Sequence, residues 1–267
     1  MRPDVEEVRN FYHTQLGAVA RRLLVHRIRA LWPNVRGQTV LGLGYATPYM
    51  RPFLQEAERV IAVMPEDQGA VNWPPEGPSR TILASETELP LRDASVDRVL
   101  VVHSLEMAGS PRPLLREIWR VLAPEGRLLL VAPNRRGLWA RFDHTPFGHG
   151  RPYSRGQLER LLASAMFSPV GWSPTLFMPP ISWPPVLNTA VGMERAGSYG
   201  WPRFCGVLIA EAQKHLYAPI IEPAKEAKAR LRTANAMAPR LRVEARREAV
   251  RPVNPQPGAC LAARMGP

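Results

Sequence analysis

The chain has 267 residues, 45% of them hydrophobic, enough for one α/β core of about 200 residues with an appendage and too few for two such domains. Its 35 basic and 23 acidic residues leave a net charge of +12, which admits an anionic partner, and residues 222–267 hold +6 of that excess. Two cysteines, Cys205 and Cys260, exclude a disulfide framework or a metal-ligand spacing, and no apolar run reaches the ~18 residues of a membrane span, so we expect no membrane insertion and a reducing, cytoplasmic setting.

Val5, Val8, Phe11, Tyr12, Leu16, Val19, Leu23, Leu24, Ile28 and Leu31 recur at helical spacing, predicting one amphipathic helix over residues 4–31 that ends before Pro33. Gln38–Leu43 reads as a short strand stopped by Gly44, followed by Thr47 and Pro48 as N-cap and first position of a helix reaching Ala57. Further strands are expected at Arg59–Val63, Arg80–Ala84 and Val96–Val102. A helix over Pro111–Leu122 is closed by the turn Pro124-Glu125-Gly126, and a fifth strand follows at Arg127–Ala132.

These five β/α repeats predict a doubly wound, mostly parallel α/β sheet of the Rossmann-like kind. Ser154 should cap a helix through about Ala165, and extended runs at Phe167–Leu176 and Phe204–Ala212 bring the sheet to seven strands. Met178–Pro202, rich in Pro, Gly, Trp and Ser, reads as an ordered loop or lid. From about Pro219 onward Ala, Arg, Pro and Glu dominate and large apolar side chains are scarce, which divides the chain into a domain over residues 1–217 and a basic, disordered tail over 218–267.

In such a sheet a ligand lies beyond the carboxyl ends of the strands, which brings Gly42, Gly44, Met64, Ser85, His103 and Asn134 into the candidate region. The turn Gly44-Tyr45-Ala46-Thr47 is small enough for its backbone to approach a nucleotide-like ligand. An acid that would hold ribose hydroxyls is expected about 20 residues further on; Met64 stands there, with Glu66 and Asp67 just after it.

Val40–Pro48, Val60–Met64, Ser85–Leu91, Ser95–Glu106 and Leu114–Asn134 follow in order the motif blocks of the class I S-adenosylmethionine-dependent methyltransferases. Glu88–Asp97 resembles the "LPF-D-SFD" block of the small-molecule, type 11 branch, and Leu115–Arg127 resembles its "L-E--RVLKPGG" block. The resemblance implies S-adenosylmethionine as cofactor, with Gly42, Gly44, Tyr45 and Ala46 beneath it, Met64 or Glu66 near the ribose, Ser85, Glu86 and Thr87 near the adenine, and His103 lining the cavity.

It also implies an acceptor site after the fifth strand, for which Asn134, Arg135, Trp139, Arg141, His149 and Tyr153 are the candidates, and an N-terminal helix, through Tyr12 and His13, closing over the cofactor. The arginines suit a small anionic acceptor. The motifs are degenerate: Gly42 replaces the acid of the first motif, Ala46 and Pro48 its later glycines, Met64 the ribose-binding acid and Ser85 the adenine-contacting Asp. The alternative is a non-catalytic binding or regulatory module on the same fold. A third reading, nucleic-acid binding through the basic tail, has no signature motif in the domain. Catalytic residues, acceptor atom and oligomeric state are not legible.

Overall fold

The computed structural model describes residues 2–215, so the tail expected from residue 218 lies outside the described residues. Seven strands form one sheet: β1 Thr39–Gly44, β2 Arg59–Pro65, β3 Thr81–Ala84, β4 Val96–Val102, β5 Leu122–Pro133, β6 Phe167–Thr175 and β7 Val207–Lys214. Their order is β3-β2-β1-β4-β5-β7-β6, and every pairing is parallel except those of β7, which runs antiparallel to β5 and β6. The strand order reverses between β1 and β4, so the crevice that a doubly wound sheet offers opens where Gly44 and His103 end their strands.

The long N-terminal helix divides into α1 (Val5–His13) and α2 (Gln15–Leu31). Thr14 between them is extended; its hydroxyl donates to Phe11 O and accepts from Gly17 N, which caps α2. Gly17 is required there, because a Cβ would collide with the Phe11 carbonyl. The apolar spacing continues across the break, which is why periodicity alone reads one helix.

The helix expected to reach Ala57 is a single turn, α3 (Thr47–Met50), continued by a 3-10 turn at Arg51–Phe53. Pro52 has no N–H to extend the α ladder. The crossovers over residues 66–80 and 85–95 contain no helix, contrary to a strict β/α alternation; Gly69, Pro74, Pro75, Gly77 and Pro78 punctuate the first of them. β5 begins at Leu122, because Leu122 pairs with Val96 before the ladder resumes at Arg98 and Arg127. The expected Pro124-Glu125-Gly126 turn survives as the irregularity between those pairings, with Glu125 at φ 61°.

α4 (Pro111–Val121) and α5 (Arg155–Ser164) stand as predicted, the latter with a full capping box between Ser154 and Gln157. The 178–202 segment is more regular than a loop: it holds α6 (Pro184–Asn188) and α7 (Ala190–Gly200). The last strand starts three residues later than expected, Phe204 being part of a 3-10 turn.

One hydrophobic cluster joins α1, α2 and α3 to one face of the sheet, and a second joins α4 and α5 to the other. No helix among the described residues is long and apolar enough to cross a membrane.

Candidate functional site

The turn after β1 is pinned to β4. Tyr45 N donates to Val102 O at 2.9 Å, and Gly44, at φ 77°, has no room for a side chain: a Cβ would collide with the Val102 carbonyl oxygen and lie 2.8 Å from Ser104 Cβ. Gly42 is equally constrained, since a Cβ there would collide with Met50 Sδ and approach Ala46 Cβ to 2.9 Å. Met50 and Ala46 thus fill the space that an acid at position 42 would use.

At the end of β4, His103 takes a left-handed φ of 54°, a strained conformation costing about 1–3 kcal/mol for a non-glycine residue. Its ring is fully buried and held at both nitrogens, Nε2 lying 2.6 Å from Tyr12 Oη and Nδ1 3.3 Å from Glu106 Oε1. Tyr12 Oη is also 2.5 Å from Tyr49 Oη. The donors and acceptors are mutually consistent if Tyr49 donates to Tyr12, Tyr12 to His103 Nε2, and His103 Nδ1–H to Glu106 Oε1.

Burial drives the Tyr12 hydroxyl well above the usual phenol range, and the neighbouring Tyr49 adds to the effect; burial also raises Tyr49. Both therefore remain protonated donors at neutral pH. Phe147 packs on the His103 ring with centroids 4.6 Å apart, so Tyr12 and Phe147 together cover the end of β4. We expect Tyr12→Phe to cost about 1–3 kcal/mol in urea denaturation, because it leaves Tyr49 and His103 without their partner. Unchanged stability would mean that Tyr49 can donate to His103 directly.

Beyond β2 and β3 lies a cleft of about 220 Å³ lined by Pro65, Glu66, Asp67, Ser85, Glu86 and Thr87. Ser85, Glu86 and Thr87, expected together, are brought together here with the two carboxylates that follow Met64. Met64 itself is fully buried, its sulfur accepting from Val71 N, and does not line this cleft. Arg2, which nothing in the sequence marks, sets both nitrogens of its fork on Glu86 at 3.1 and 2.6 Å and lies 3.3 Å from Asp67; its side chain is only 6% exposed. Ser104 Oγ donates to the same Glu86 carboxylate. Gln68, next along the chain, is buried with both amide atoms unpartnered.

Tyr45 faces elsewhere. It lines a cavity of about 770 Å³ between α1, the start of α2, the outer side of α3 and residues 70–80. Tyr12, Tyr45 and Trp73 form its buried wall, and Arg9, Arg21, Arg51 and Arg80 stand around it. Burial pushes the Tyr45 hydroxyl up to about 12, with Arg9 pulling the other way.

The residues expected to hold an acceptor separate into two sets. Asn134, Trp139 and Tyr153 are buried and structural: Asn134 Nδ2 donates to the carbonyls of Arg203 and Cys205, Trp139 Nε1 to Met178 O at 2.7 Å, and Tyr153 Oη to Leu105 O. Arg135 and Arg141 are exposed, and His149 lines a recess of about 40 Å³ with His144 against Val8 and Phe11 of α1. Sequence reasoning missed Arg2, Arg9, Arg21, Arg51, Trp73 and Arg80, which approach the strand ends from three separate segments. Among the described residues, no group of three His, Cys, Asp or Glu side chains is arranged to hold a metal ion.

Residues 41–130, about a third of the chain, match the family described as a methyltransferase domain. No curated protein matches the sequence. Among solved structures, the chain is similar to an S-adenosylmethionine-dependent methyltransferase from Thermotoga maritima described as a possible histamine N-methyltransferase. That match has 18% identity and a TM-score of 0.55, covering 79% of this chain and 96% of that one. It is also similar to an S-adenosylmethionine-dependent methyltransferase from Archaeoglobus fulgidus, with 19% identity, 73% and 94% coverage and a TM-score of 0.53. A third match is geranyl diphosphate C-methyltransferase from Streptomyces coelicolor, solved with Mg²⁺, geranyl diphosphate and S-adenosylhomocysteine, at 16% identity, 72% and 77% coverage and a TM-score of 0.52. At these identities the likeness is one of fold.

Proposed function

We propose, from the premise that this chain carries the class I S-adenosylmethionine-dependent methyltransferase fold, that it transfers a methyl group from S-adenosylmethionine to a small anionic acceptor. The observation that supports the reading most directly is the cleft beyond β2 and β3. It offers two carboxylates, Glu66 and Asp67, for ribose hydroxyls and two hydroxyls, Ser85 and Thr87, for a heteroaromatic edge, and so supplies from adjacent positions the acid missing at Met64. The residues present fit the adenosine half of the cofactor. The backbone of the Gly44-Tyr45-Ala46 turn would lie under its amino-acid half, the Tyr45 side chain facing the other cavity.

When bound, the cofactor supplies an electrophilic methyl group on a sulfonium. The chain's own part is to orient the acceptor, exclude water and take up a proton where the acceptor carries one. His103, strained at the end of β4 and held through Nδ1 by Glu106, presents Nε2 as a proton acceptor at the place where the Tyr12 hydroxyl now donates. Tyr12 and Phe147 cover that place and keep water out. A reducing compartment such as the cytoplasm suits a buried Cys205 that forms no disulfide among the described residues.

A second reading, a non-catalytic module on the same fold, is favoured by two specific observations: Arg2 already occupies the Glu86 and Asp67 carboxylates, and Met50 the space beside Gly42. Calorimetric titration of the full chain with S-adenosylhomocysteine separates the two. The enzyme reading expects micromolar binding, about −8 kcal/mol, weakened at least about tenfold in Glu66→Gln/Asp67→Asn, with tighter binding in Arg2→Ala. No heat and no thermal stabilisation at millimolar ligand in either the wild type or Arg2→Ala would leave the non-catalytic reading.

A further inference from the structure

The cavity beside Tyr45 is separate from the cleft beyond β2 and β3, no residue being shared between their linings. Its volume of about 770 Å³ is that of a small-molecule pocket, within the common range of ~300–1,000 Å³. Its wall is aromatic: Tyr12 and Tyr45 are stacked with an interplanar angle of 12° and centroids 5.8 Å apart, and Trp73 is buried among the lining residues.

The surrounding charge is basic. Four arginines line the cavity against two carboxylates, Glu6 and Glu76, which are exposed and approach Arg9 and Arg51 only to 3.9 and 3.8 Å. Arg21 and Arg80 make no ion pair or side-chain hydrogen bond among the described residues. Arg9 and Arg21, both exposed lining residues, come near enough to the buried phenols to oppose the upward shifts of Tyr45 and Tyr49. The Tyr45 hydroxyl has no hydrogen-bond partner among the described residues.

We propose that this cavity is a binding site for a small aromatic anion, a flat ring bearing a carboxylate or phosphate, with the ring against Tyr12, Tyr45 and Trp73 and the anionic group in the forks of Arg21 and Arg80. Guanidinium forks match both carboxylate and phosphate oxygens and also stack on aromatic faces, so the two halves of the wall select the two halves of such a molecule. Neither a bare anion nor a neutral ring uses the whole wall. The site stands independently of cofactor binding.

Four probes test it by calorimetry on the full chain: phenyl phosphate, benzoate, inorganic phosphate and benzyl alcohol. We expect phenyl phosphate or benzoate to bind at least about tenfold more tightly than inorganic phosphate and benzyl alcohol, the stronger of the two identifying the anionic group. In Arg21→Gln/Arg80→Gln, both exposed positions, that binding should weaken at least about tenfold with an unchanged melting temperature. Saturating S-adenosylhomocysteine should leave it in place. Inorganic phosphate binding as tightly as phenyl phosphate would overturn the proposal, and so would an affinity unaffected by the double variant. Displacement by S-adenosylhomocysteine would overturn it too, by making the cavity part of the cofactor site. Failure of S-adenosylhomocysteine to bind at all leaves the first two comparisons intact, so the proposal and the methyltransferase reading fail separately.

Discussion

Gly42→Asp, the substitution that puts back the acid of the first motif, should destabilise the domain by at least about 4 kcal/mol rather than improve the site. Position 42 is buried inside β1, and its Cβ would collide with Met50 Sδ and lie 2.9 Å from Ala46 Cβ. The new carboxylate would therefore lose its hydration while the helix-side wall of the turn is pushed out. A domain of this size holds about 5–15 kcal/mol in total, and each kcal/mol corresponds to about 2–4 °C in melting temperature, so a fall of roughly 8–16 °C is expected.

Met50→Ala in the same chain should recover the steric part of the loss and not the desolvation part. Thermal and urea denaturation of the three variants measure this directly. A Gly42→Asp protein as stable as the parent would show that Met50 swings aside at little cost and that the acid finds donors. The glycine would then be a reversible loss rather than part of a repacked turn.

Trp139→Ala carries the other large effect, about 3–5 kcal/mol. Trp139 is fully buried, its ring meets Phe147 edge-on with centroids 5.7 Å apart, and its indole N–H donates to Met178 O at 2.7 Å. Gly206 opposite it has no space for a Cβ, which would collide with the indole ring. The side chain therefore ties the segment after β5 to the segments on either side of the α6–α7 excursion.

The same contact supports Phe147 over His103, so the variant should also expose His103 to solvent, seen as faster imidazole proton exchange in NMR spectra. Trp139→Phe keeps most of the packing and leaves Met178 O without its donor, and should cost about 1–3 kcal/mol. A loss below about 1 kcal/mol for the alanine variant would mean that the 139–149 loop is held by something other than this indole.

Trp139 and the Ser85–Thr87 group differ in how far sequence reading reaches. Trp139 was expected to touch an acceptor because aromatic and basic residues gather after the fifth strand; the structure spends it on packing. An indole in a segment anchored at both ends is buried whenever a complementary surface exists, and Gly206, 67 positions away, supplies it. Ser85, Glu86 and Thr87 line one cleft because they are adjacent in sequence and follow a strand, so the sheet alone carries them to one edge. Arg2 and Arg80 carry no local signal, since a guanidinium reads as solvated until the fold sets a carboxylate or an aromatic wall beside it.

By itself the sequence determined the sheet: strands β4 and β5 are too apolar for any environment but a covered interior, and the order of turns, caps and strands admits a doubly wound arrangement. It also determined the cap at Ser154 and the presence of a turn after Gly44, because these depend on dihedral preferences and hydrogen bonds spanning a few residues, whereas the cap expected of Thr47 is not made: Thr47 is the first residue of α3, after Ala46, and caps nothing. Tertiary structure alone decided that α1 breaks from α2 and lies over the strand ends, that Tyr12 joins Tyr49 to His103, and that Arg2 answers Glu86. Those outcomes depend on which distant groups meet once water is excluded, and in a buried site a hydroxyl or guanidinium takes whichever partner removes its desolvation cost.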